Sequence, residues 1–495
     1  MKNSFIKILV VSVFLLLFVG CEDDFLEKEP SEFLTTEQLS DASAFNPAIL
    51  VGSVSGTYSL TFDSGSGGTE RHTDFGQKGY DIMIDMLCGD MALSQSVYGW
   101  YRASITEFQA TQDFTSITNY QPWRYYYRII RAAHIAIDGL GGEDIIPELE
   151  ENKYIMGQAK ALRAHSYFYL AQLFQKEYNP SELILPLYRS LQDQNGPKVS
   201  AQEIYDLIES DLTDAISLLE NFTRANKSQI NQDVARTIYA YVLASKGDYS
   251  NALIQAQSVI SAGNFTMMQG AELTGGFNEL STPGWMWGVD LNADTGVGLL
   301  SFWGQVDYFS YSYAAVGDYK VMDADLFSKI ANNDLRKDQF LDSPGSPFHG
   351  LPWFKFYDDA RIPFGAGTPV MNDILFYRIS EVYLLGAEMA AKSGDEGTAR
   401  TLLSILMSTR VPDVSYINSL SGSSLLDEIY LQTRIELWGE GKSYLAMKRN
   451  QATIVRGDNH LSFVGDPIPY NDERLTFEIP QAEILNNPFI SSQND

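Results

Sequence analysis

Two short segments of the chain concentrate aromatic side chains that could contact a flat, hydroxylated ligand. Tyr98, Trp100 and Tyr101 fall within the stretch VYGWYR. The second segment, SFWGQVDYFSYSY, contributes four more candidates: Trp303, Tyr308, Tyr311 and Tyr313. Sugars present flat patches of C–H groups that stack on aromatic faces, while neighbouring polar groups orient their hydroxyls. The two segments together therefore predict an aromatic binding surface.

The same residues admit a second interpretation, in which each ring packs in the core or supports a loop. Trp, Tyr and Phe make up 13% of the chain, and most of them must be core. Trp285 and Trp287 alternate about Met286 in a strand-like run, so we expect both to point to one face, into the core. Trp353, in FHGLPWFKF, fits either interpretation. For any single residue of the two segments, core packing stays an alternative.

The titratable residues show no pattern typical of catalysis or of a metal cofactor. The five histidines are dispersed, without an HExxH motif or a pair at ligand spacing. The many acids could supply oxygen ligands for a calcium ion, yet no EF-hand pattern is present. Two carboxylates can hydrolyse a glycosidic bond only at a defined separation in space, which a sequence does not supply. We therefore predict no catalytic residue and no cofactor and assign no metal ligand; a calcium ion held by acidic side chains stays an alternative.

Composition and charge narrow the kinds of partner. The chain has 495 residues, 45% of them hydrophobic and 20% charged, as expected for a folded body. Its 63 acids and 35 bases leave a net charge of -28, which repels phosphate backbones. We exclude nucleic acid as a partner. With only Cys21 and Cys88 present, no disulfide framework can form within one chain.

The N-terminus is typical of a secretory signal, which we assign to residues 1–20. Two lysines precede an uninterrupted apolar run at 8–19, which is too short to span a bilayer comfortably. The run ends at Phe18-Val19-Gly20-Cys21, which is similar to the lipobox of bacterial lipoproteins. That resemblance implies that the sulfur of Cys21 carries a diacylglycerol. A plain signal peptide followed by an accidental cysteine is the alternative.

Beyond Cys21 we expect one domain, because no linker divides the chain. Acidic residues predict a tether over 21–36. Apolar residues at steps of three and four predict a helical scaffold over about 120–262 and 373–450. Within it, Ser200 and Glu203 form a capping box that begins one helix. The segment between, about 263–372, is rich in Gly, Pro and aromatic residues and predicts loops and short strands.

Two segments of the scaffold share the spacing of a tetratricopeptide repeat. Small residues recur there at positions that let two antiparallel helices touch: Ala240, Gly247 and Ala252 in the first segment, and Ala387, Gly394 and Ala399 in the second. The gap between the two segments is much longer than one repeat. We therefore predict two helical hairpins separated by an insertion, not an uninterrupted solenoid.

Several stretches, in order along nearly the whole chain, resemble the SusD-like (RagB/SusD) family of outer-membrane nutrient-binding lipoproteins. They are Asp24-Phe25-Leu26, Leu162-Arg163-Ala164, Ile204-Tyr205, Arg378 with Glu381-Val382-Tyr383-Leu384, Arg434-Ile435-Glu436-Leu437 and Phe477-Glu478-Ile479-Pro480. His134 departs from the family pattern, since an asparagine is usual there. The resemblance implies a mainly α fold, in which a tetratricopeptide-like helical scaffold carries a loop-rich, short-strand ligand-binding side.

The resemblance also implies a function. Such proteins capture glycans outside the outer membrane and pass them to a SusC-type TonB-dependent transporter. We therefore expect a non-enzymatic, lipid-anchored glycan-binding protein that faces the cell exterior and presents carbohydrate to such a transporter. The candidate glycan-binding residues are Tyr98, Trp100, Tyr101, Trp303, Tyr308 and Tyr311. A surface glycoside hydrolase, a family member that binds peptides or another nutrient, and a helical-repeat protein that serves only in assembly remain the alternatives.

Overall fold

The computed structural model describes residues 48–364 and 369–494. Cys21, the signal peptide and the acidic tether all lie outside this part of the chain, so their assignments stay predictions. Within it, no helix is both long enough and apolar enough to cross a membrane.

The described chain is mainly α-helical, which confirms the predicted fold class. Its α-helices are α1 Ala48–Ser59, α2 Gln77–Leu87, α3 Gln109–Gln112, α4 Ile117–Gly139, α5 Glu150–Phe174, α6 Ala201–Leu218, α7 Gln232–Lys246, α8 Tyr249–Ala262, α9 Phe302–Val306, α10 Ala324–Ser328, α11 Ile379–Lys392, α12 Glu396–Met407, α13 Gly422–Glu436, α14 Ser443–Arg449 and α15 Gln481–Asn486. The short strands are β1 Met91–Gln95, β2 Leu183–Pro186, β3 Lys198–Ser200, β4 Trp285–Val289, β5 Tyr319–Met322, β6 Ile374–Arg378, β7 Thr453–Val455 and β8 Pro467–Pro469. They form two-stranded antiparallel sheets that pair β1 with β5, β2 with β3, β4 with β6 and β7 with β8.

Local signals begin and end the scaffold helices where the sequence predicted. The Ser200 side chain accepts a hydrogen bond from the backbone N–H of Glu203, and the Glu203 carboxylate bonds back to Ser200, so the capping box of α6 is confirmed. The stripe of α6 that includes Ile204, Ile208 and Leu212 is buried. It packs in the main hydrophobic core together with α4 and α5.

The two predicted helical hairpins are also confirmed, as α7–α8 and α11–α12. Each turns at a glycine in the left-handed region, Gly247 with φ 83° and Gly394 with φ 84°. In each, the next residue is an aspartate that caps the second helix through its side chain. A Cβ built on Gly386 of α11 would lie 3.5 Å from the Cβ of Ala256 in α8. The hairpins therefore pack against each other although 263–372 separates them in sequence.

Helix α2 was not predicted, although Gln77, Asp81 and Asp85 recur at steps of four and form one polar face. All of its residues are buried, including Lys78 and Asp81, which form an ion pair at 3.2 Å. The Lys78 ammonium also donates to the carbonyl oxygen of Gly439, 3.2 Å away. The polar face of α2 is therefore buried and paired within the protein instead of facing solvent.

A buried ion network joins β6 to α13 and the turn after it. Glu436 Oε1 lies 2.6 Å from Nη1 of Arg378 and 2.6 Å from Nη2 of Arg410, and its Oε2 lies 3.2 Å from Nη1 of Arg336. Arg378 also pairs with Glu440, with 2.7 Å between Nε and Oε2. Burial by itself raises the pKa of Glu436, but the surrounding guanidiniums outweigh burial and hold that pKa well below its usual value. These side chains join four segments that are separated in sequence.

Candidate functional site

A two-stranded sheet brings the two aromatic segments together. Strands β1 and β5 pair antiparallel, with Met91 opposite Met322 and Gln95 opposite Tyr319. The segment that leaves β1 and the segment that enters β5 therefore emerge at the same end of the sheet. The first of these segments contains VYGWYR, and the second contains the end of SFWGQVDYFSYSY.

One carboxylate fixes the two segments to each other. Oδ1 of the buried Asp318 accepts hydrogen bonds from the backbone N–H of Val97 and from that of Tyr98, the latter at 3.0 Å. Gly317 has φ 110°, and a Cβ there would lie 2.7 Å from Cγ2 of Val97. Glycine is therefore required at this close approach of the two segments.

Four rings meet at this end of the sheet, and we call His72, Tyr98, Trp100 and Tyr313 the aromatic platform. The rings of His72 and Trp100 stack, with centroids 4.9 Å apart and planes 4° from parallel. The Tyr313 ring lies edge-on to the other three, with centroids 5.2 Å from Tyr98, 5.7 Å from His72 and 6.1 Å from Trp100. The platform therefore combines residues from three separate segments of the chain.

The platform is partly open to solvent. Tyr98 is 59% exposed, and His72 and Trp100 are half-buried, whereas Tyr313 is buried beneath them. Tyr311, two residues before Tyr313, is 57% exposed. The rings that face solvent are thus supported from below by a buried tyrosine, so a ligand would meet a supported surface.

Burial keeps His72 and Tyr313 uncharged near neutral pH. The Tyr313 hydroxyl bonds to Nδ1 of His72, and the backbone carbonyl of His72 accepts from Nε2 of Gln305 at 2.8 Å. Burial lowers the pKa of His72, so its imidazole is neutral at pH 7. Burial likewise raises the pKa of Tyr313. Uncharged rings of this kind suit the C–H faces of neutral sugars.

Two of the predicted binding residues lie inside the protein. Tyr101 is buried in the left-handed region, with φ 65°, where it begins a π-helical turn, Arg102–Thr106. Trp303 is fully buried in α9, and its indole N–H donates to the carbonyl oxygen of Asn372 at 2.9 Å. Both side chains support the loops and do not face solvent. Trp285 and Trp287, which we expected in the core, are buried there.

Tyr308 belongs to a second aromatic cluster. Its ring is half-buried and lies 5.0 Å from the ring of Trp353, which in turn lies 4.7 Å from Phe309. The guanidinium of Arg361 lies 4.1 Å from the centre of the Phe309 ring and 4.3 Å from that of Tyr357. An arginine over aromatic rings is a stable arrangement by itself, which agrees with a role in holding these loops together.

Sequence reasoning missed His72 as part of the site. His72 is one of five histidines dispersed along the sequence. Its ring reaches Trp100 through a contact between residues 28 positions apart. A local signal was available in the dense glycine and serine run SGSGG at Ser64 to Gly68, which indicates a loop before His72. Nothing in the sequence indicated which aromatic segment that loop would contact.

One carboxyl group near the platform has a strongly shifted pKa, yet its contacts are structural. Burial raises the pKa of Asp307 to about 7. Its Oδ1 accepts from the backbone N–H of Phe309 at 2.8 Å and its Oδ2 from that of Asp358 at 3.1 Å. Because the side chain is fully buried and both oxygens are engaged, it joins two loops and does not reach a ligand. Among the described residues, no group of three His, Cys, Asp or Glu side chains could hold a metal ion.

A family model and a curated protein that match this chain are both SusD-like. Residues 76–242 match a SusD-like family model described as "Starch-binding associating with outer membrane". A SusD-like protein of Formosa agariphila is 22% identical over 263 residues, which are 52% of this chain and 46% of that protein. The chain thus spans less than half the length of this curated relative.

Solved structures share the fold over most of the chain. A SusD-like carbohydrate binding protein from Bacteroides vulgatus superposes with a TM-score of 0.74 at 23% identity, covering 89% of this chain and 96% of its own. The surface glycan-binding protein A of Bacteroides thetaiotaomicron gives a TM-score of 0.69 at 16% identity, covering 90% and 98%. The family model over residues 76–242, the curated relative and the shared fold confirm the resemblance to the SusD-like family found in the sequence.

Proposed function

We propose that the protein is a non-enzymatic, cell-surface glycan-binding protein whose aromatic platform, with Tyr311 beside it, contacts sugar rings. The observation that carries this proposal is the group of partly exposed, uncharged rings at the end of the β1–β5 sheet. Pockets for small ligands are usually formed before the ligand arrives, and these rings are held by Asp318, Gly317 and Tyr313. The platform is therefore suited to stack against the C–H faces of a glycan chain.

The relatives support carbohydrate as the ligand class. The matching family model carries starch binding in its description, and two structural relatives are named for carbohydrate and glycan binding. Of the candidate residues, we propose Tyr98, Trp100 and Tyr311 as ligand contacts, and Tyr101, Trp303 and Tyr308 as supports of the loops.

Isothermal titration against a panel of polysaccharides and oligosaccharides tests the platform. Replacing Trp100 with alanine removes the stacked partner of His72, and we expect affinity for the bound glycan to fall at least tenfold, as about 1.4 kcal/mol of lost contact would produce. Tyr416→Ala is a matched control, because Tyr416 is exposed but lies on a turn outside the platform, Ser415–Ser419. Equal affinities for the wild type, Trp100→Ala and Tyr98→Ala would rule out the platform as the site.

We further propose that the protein is held in the outer membrane by acyl chains on Cys21, faces the cell exterior and delivers glycan to a SusC-type TonB-dependent transporter. More than one acyl chain is needed for lasting attachment, and lipoprotein modification supplies them. Mass spectrometry of the mature N-terminus and antibody staining of intact cells test the anchor and the orientation. A Cys21→Ala variant is expected to lose membrane attachment, and co-purification with the barrel tests the partner.

A surface glycoside hydrolase is the alternative that the same panel can exclude. Prolonged incubation of each glycan with the protein is expected to yield no new reducing ends, because a protein that only binds a glycan leaves its glycosidic bonds intact. New reducing ends that increase in proportion to the concentration of purified protein would instead establish hydrolysis. If no glycan binds, the same titrations with peptides test the alternative that the protein binds peptides or another nutrient.

A further inference from the structure

A second concave site lies on the helical scaffold, built from elements that do not contribute to the aromatic platform. It is an open cavity of about 370 Å³ between α4, the segment 186–195 and α15. Its volume lies within the range of small-molecule sites. Three arginines of α4, Arg124, Arg128 and Arg131, line it. Their spacing of four and three residues places them along one face of the helix.

The arginines of this cavity are not neutralised by its acids. Within the described part of the chain, Arg124 and Arg131 have no ion-pair partner. The Arg124 guanidinium lies 6.0 Å from the centre of the Tyr120 ring and packs against Gly68. Arg128 is tied down through Nη1, which donates to the carbonyl oxygens of Ser66 and Gly65 at 2.6 and 3.1 Å.

The two acids in the wall are engaged with N–H donors instead. Glu483 accepts from the indole N–H of Trp123 at 3.3 Å and from the side-chain amide of Asn487 at 2.8 Å. Asp193 accepts from the backbone N–H groups of Arg189 and Ser190 at 2.6 and 3.1 Å. Counting three arginines against these two carboxylates leaves one excess positive charge on the lining.

A buried histidine supplies the second observation that points to a ligand. His134 lines the same cavity, is 2% exposed, and its Nε2 has no hydrogen-bond partner in the described chain. Buried polar atoms are almost always paired, so an unpaired one at a cavity wall marks a place for a ligand or water. Burial and the nearby Arg163 lower the pKa of His134 to about 3, so its imidazole is neutral and can donate or accept.

We propose that this cavity binds an anionic sugar unit, carrying a carboxylate or a sulfate ester, whose acidic group pairs with Arg124 and Arg131 and whose polar ring atoms reach His134. Arginine forks pair bidentately with such oxyanions. The tyrosine rings of the lining, Tyr120, Tyr127 and Tyr188, offer apolar surface for the sugar ring. That the ligand is a sugar rests on the proposed function, whereas the need for an anion rests on the cavity alone.

Titration of the full-length mature protein with D-glucuronic acid, glucose 6-sulfate, glucose, acetate and inorganic sulfate tests the proposal. We expect the two acidic sugars to bind more tightly than glucose, acetate or sulfate, and their affinity to fall as salt is raised. Arg124→Gln and Arg131→Gln are each expected to weaken binding about tenfold. Arg400→Gln, on α12 and outside the cavity, is the control and should bind as the wild type does. Preference for glucuronic acid or for glucose 6-sulfate distinguishes the carboxylate from the sulfate ester.

Three results would overturn the proposal. Acidic sugars that bind no better than glucose would remove the anion requirement. Acetate and sulfate that bind as tightly as the sugars would leave an inorganic-anion site. Acidic-sugar binding that is lost in Trp100→Ala but kept in Arg124→Gln and Arg131→Gln would place the ligand on the aromatic platform. A failure of the proposed platform function can be distinguished from these results, because Trp100→Ala would then bind neutral glycans as tightly as the wild type does.

Discussion

Asp318 holds the backbone of Tyr98, with 3.0 Å between the carboxylate Oδ1 and the amide nitrogen, across 220 residues of chain. The same oxygen accepts from Val97, so one buried side chain positions the whole exposed turn that carries Tyr98 and Trp100. The proposed glycan site therefore depends on a contact between two loops that the β1–β5 sheet brings together.

Removing this carboxylate should weaken glycan binding without touching a ligand-contacting ring. In Asp318→Ala the two backbone N–H groups lose their shared acceptor, and we expect affinity to fall several-fold as the turn loosens. Asp318→Asn keeps one oxygen in the same place, so its affinity should stay close to that of the wild type. Titration with the best glycan of the panel measures both. Equal binding by wild type and Asp318→Ala would mean that other contacts position the turn.

Replacing Trp100 should mainly reduce glycan affinity, whereas replacing Trp303 should mainly reduce stability, although both tryptophans lie in aromatic segments of similar composition. Trp303 is fully buried, so Trp303→Ala should lower the free energy of unfolding by about 3–5 kcal/mol. Trp100→Ala, at a half-buried position, should cost much less stability but lose affinity. Chemical denaturation and titration of both variants test this pair. A destabilised Trp100→Ala with normal affinity would reverse the two assignments.

The difference between these two tryptophans shows what the sequence could not provide. Helix α6 and the two hairpins were predictable because a capping box, Gly247 and Gly394 act within a few residues of where they stand. Exposure of a ring depends instead on which distant segment covers it. The pairing of Gln95 with Tyr319, which assembles the platform, is long-range and leaves no local pattern.

Neutralising Glu436 should destabilise the protein strongly. Glu436→Gln removes the charge that three buried guanidiniums share, leaving Arg410 and Arg378 without their main partner. Breaking a buried ion pair at one partner costs roughly 3–5 kcal/mol. Urea denaturation of the variant checks this value. A loss below about 1 kcal/mol, the range of exposed pairs, would contradict the account of a tightly coupled network.

Asp307 should make stability depend on pH between about 4 and 7. Burial raises its pKa to about 7 in the folded protein, so the folded state keeps a proton that the unfolded chain releases nearer pH 4. Stability contributed by this group is therefore full below pH 4 and is lost as the pH rises toward 7.

Asp307→Asn removes that titration. The variant loses one hydrogen-bond acceptor at every pH. Its free energy of unfolding, relative to that of the wild type, should nevertheless rise by on the order of 3 kcal/mol between pH 4 and pH 8. Denaturation midpoints of the two proteins across this range give the difference directly. A constant difference from pH 4 to pH 8 would show that Asp307 is already ionised in the folded protein at low pH.

The most direct measurement is a crystal structure of the mature protein with the glycan that binds most tightly in the panel. We expect a sugar ring to stack against Trp100, and Tyr98 or Tyr311 to contact the same sugar unit or the next one. Tyr101 and Trp303 should remain buried. A glycan bound elsewhere on the chain, with the rings of the aromatic platform facing only solvent, would contradict this prediction.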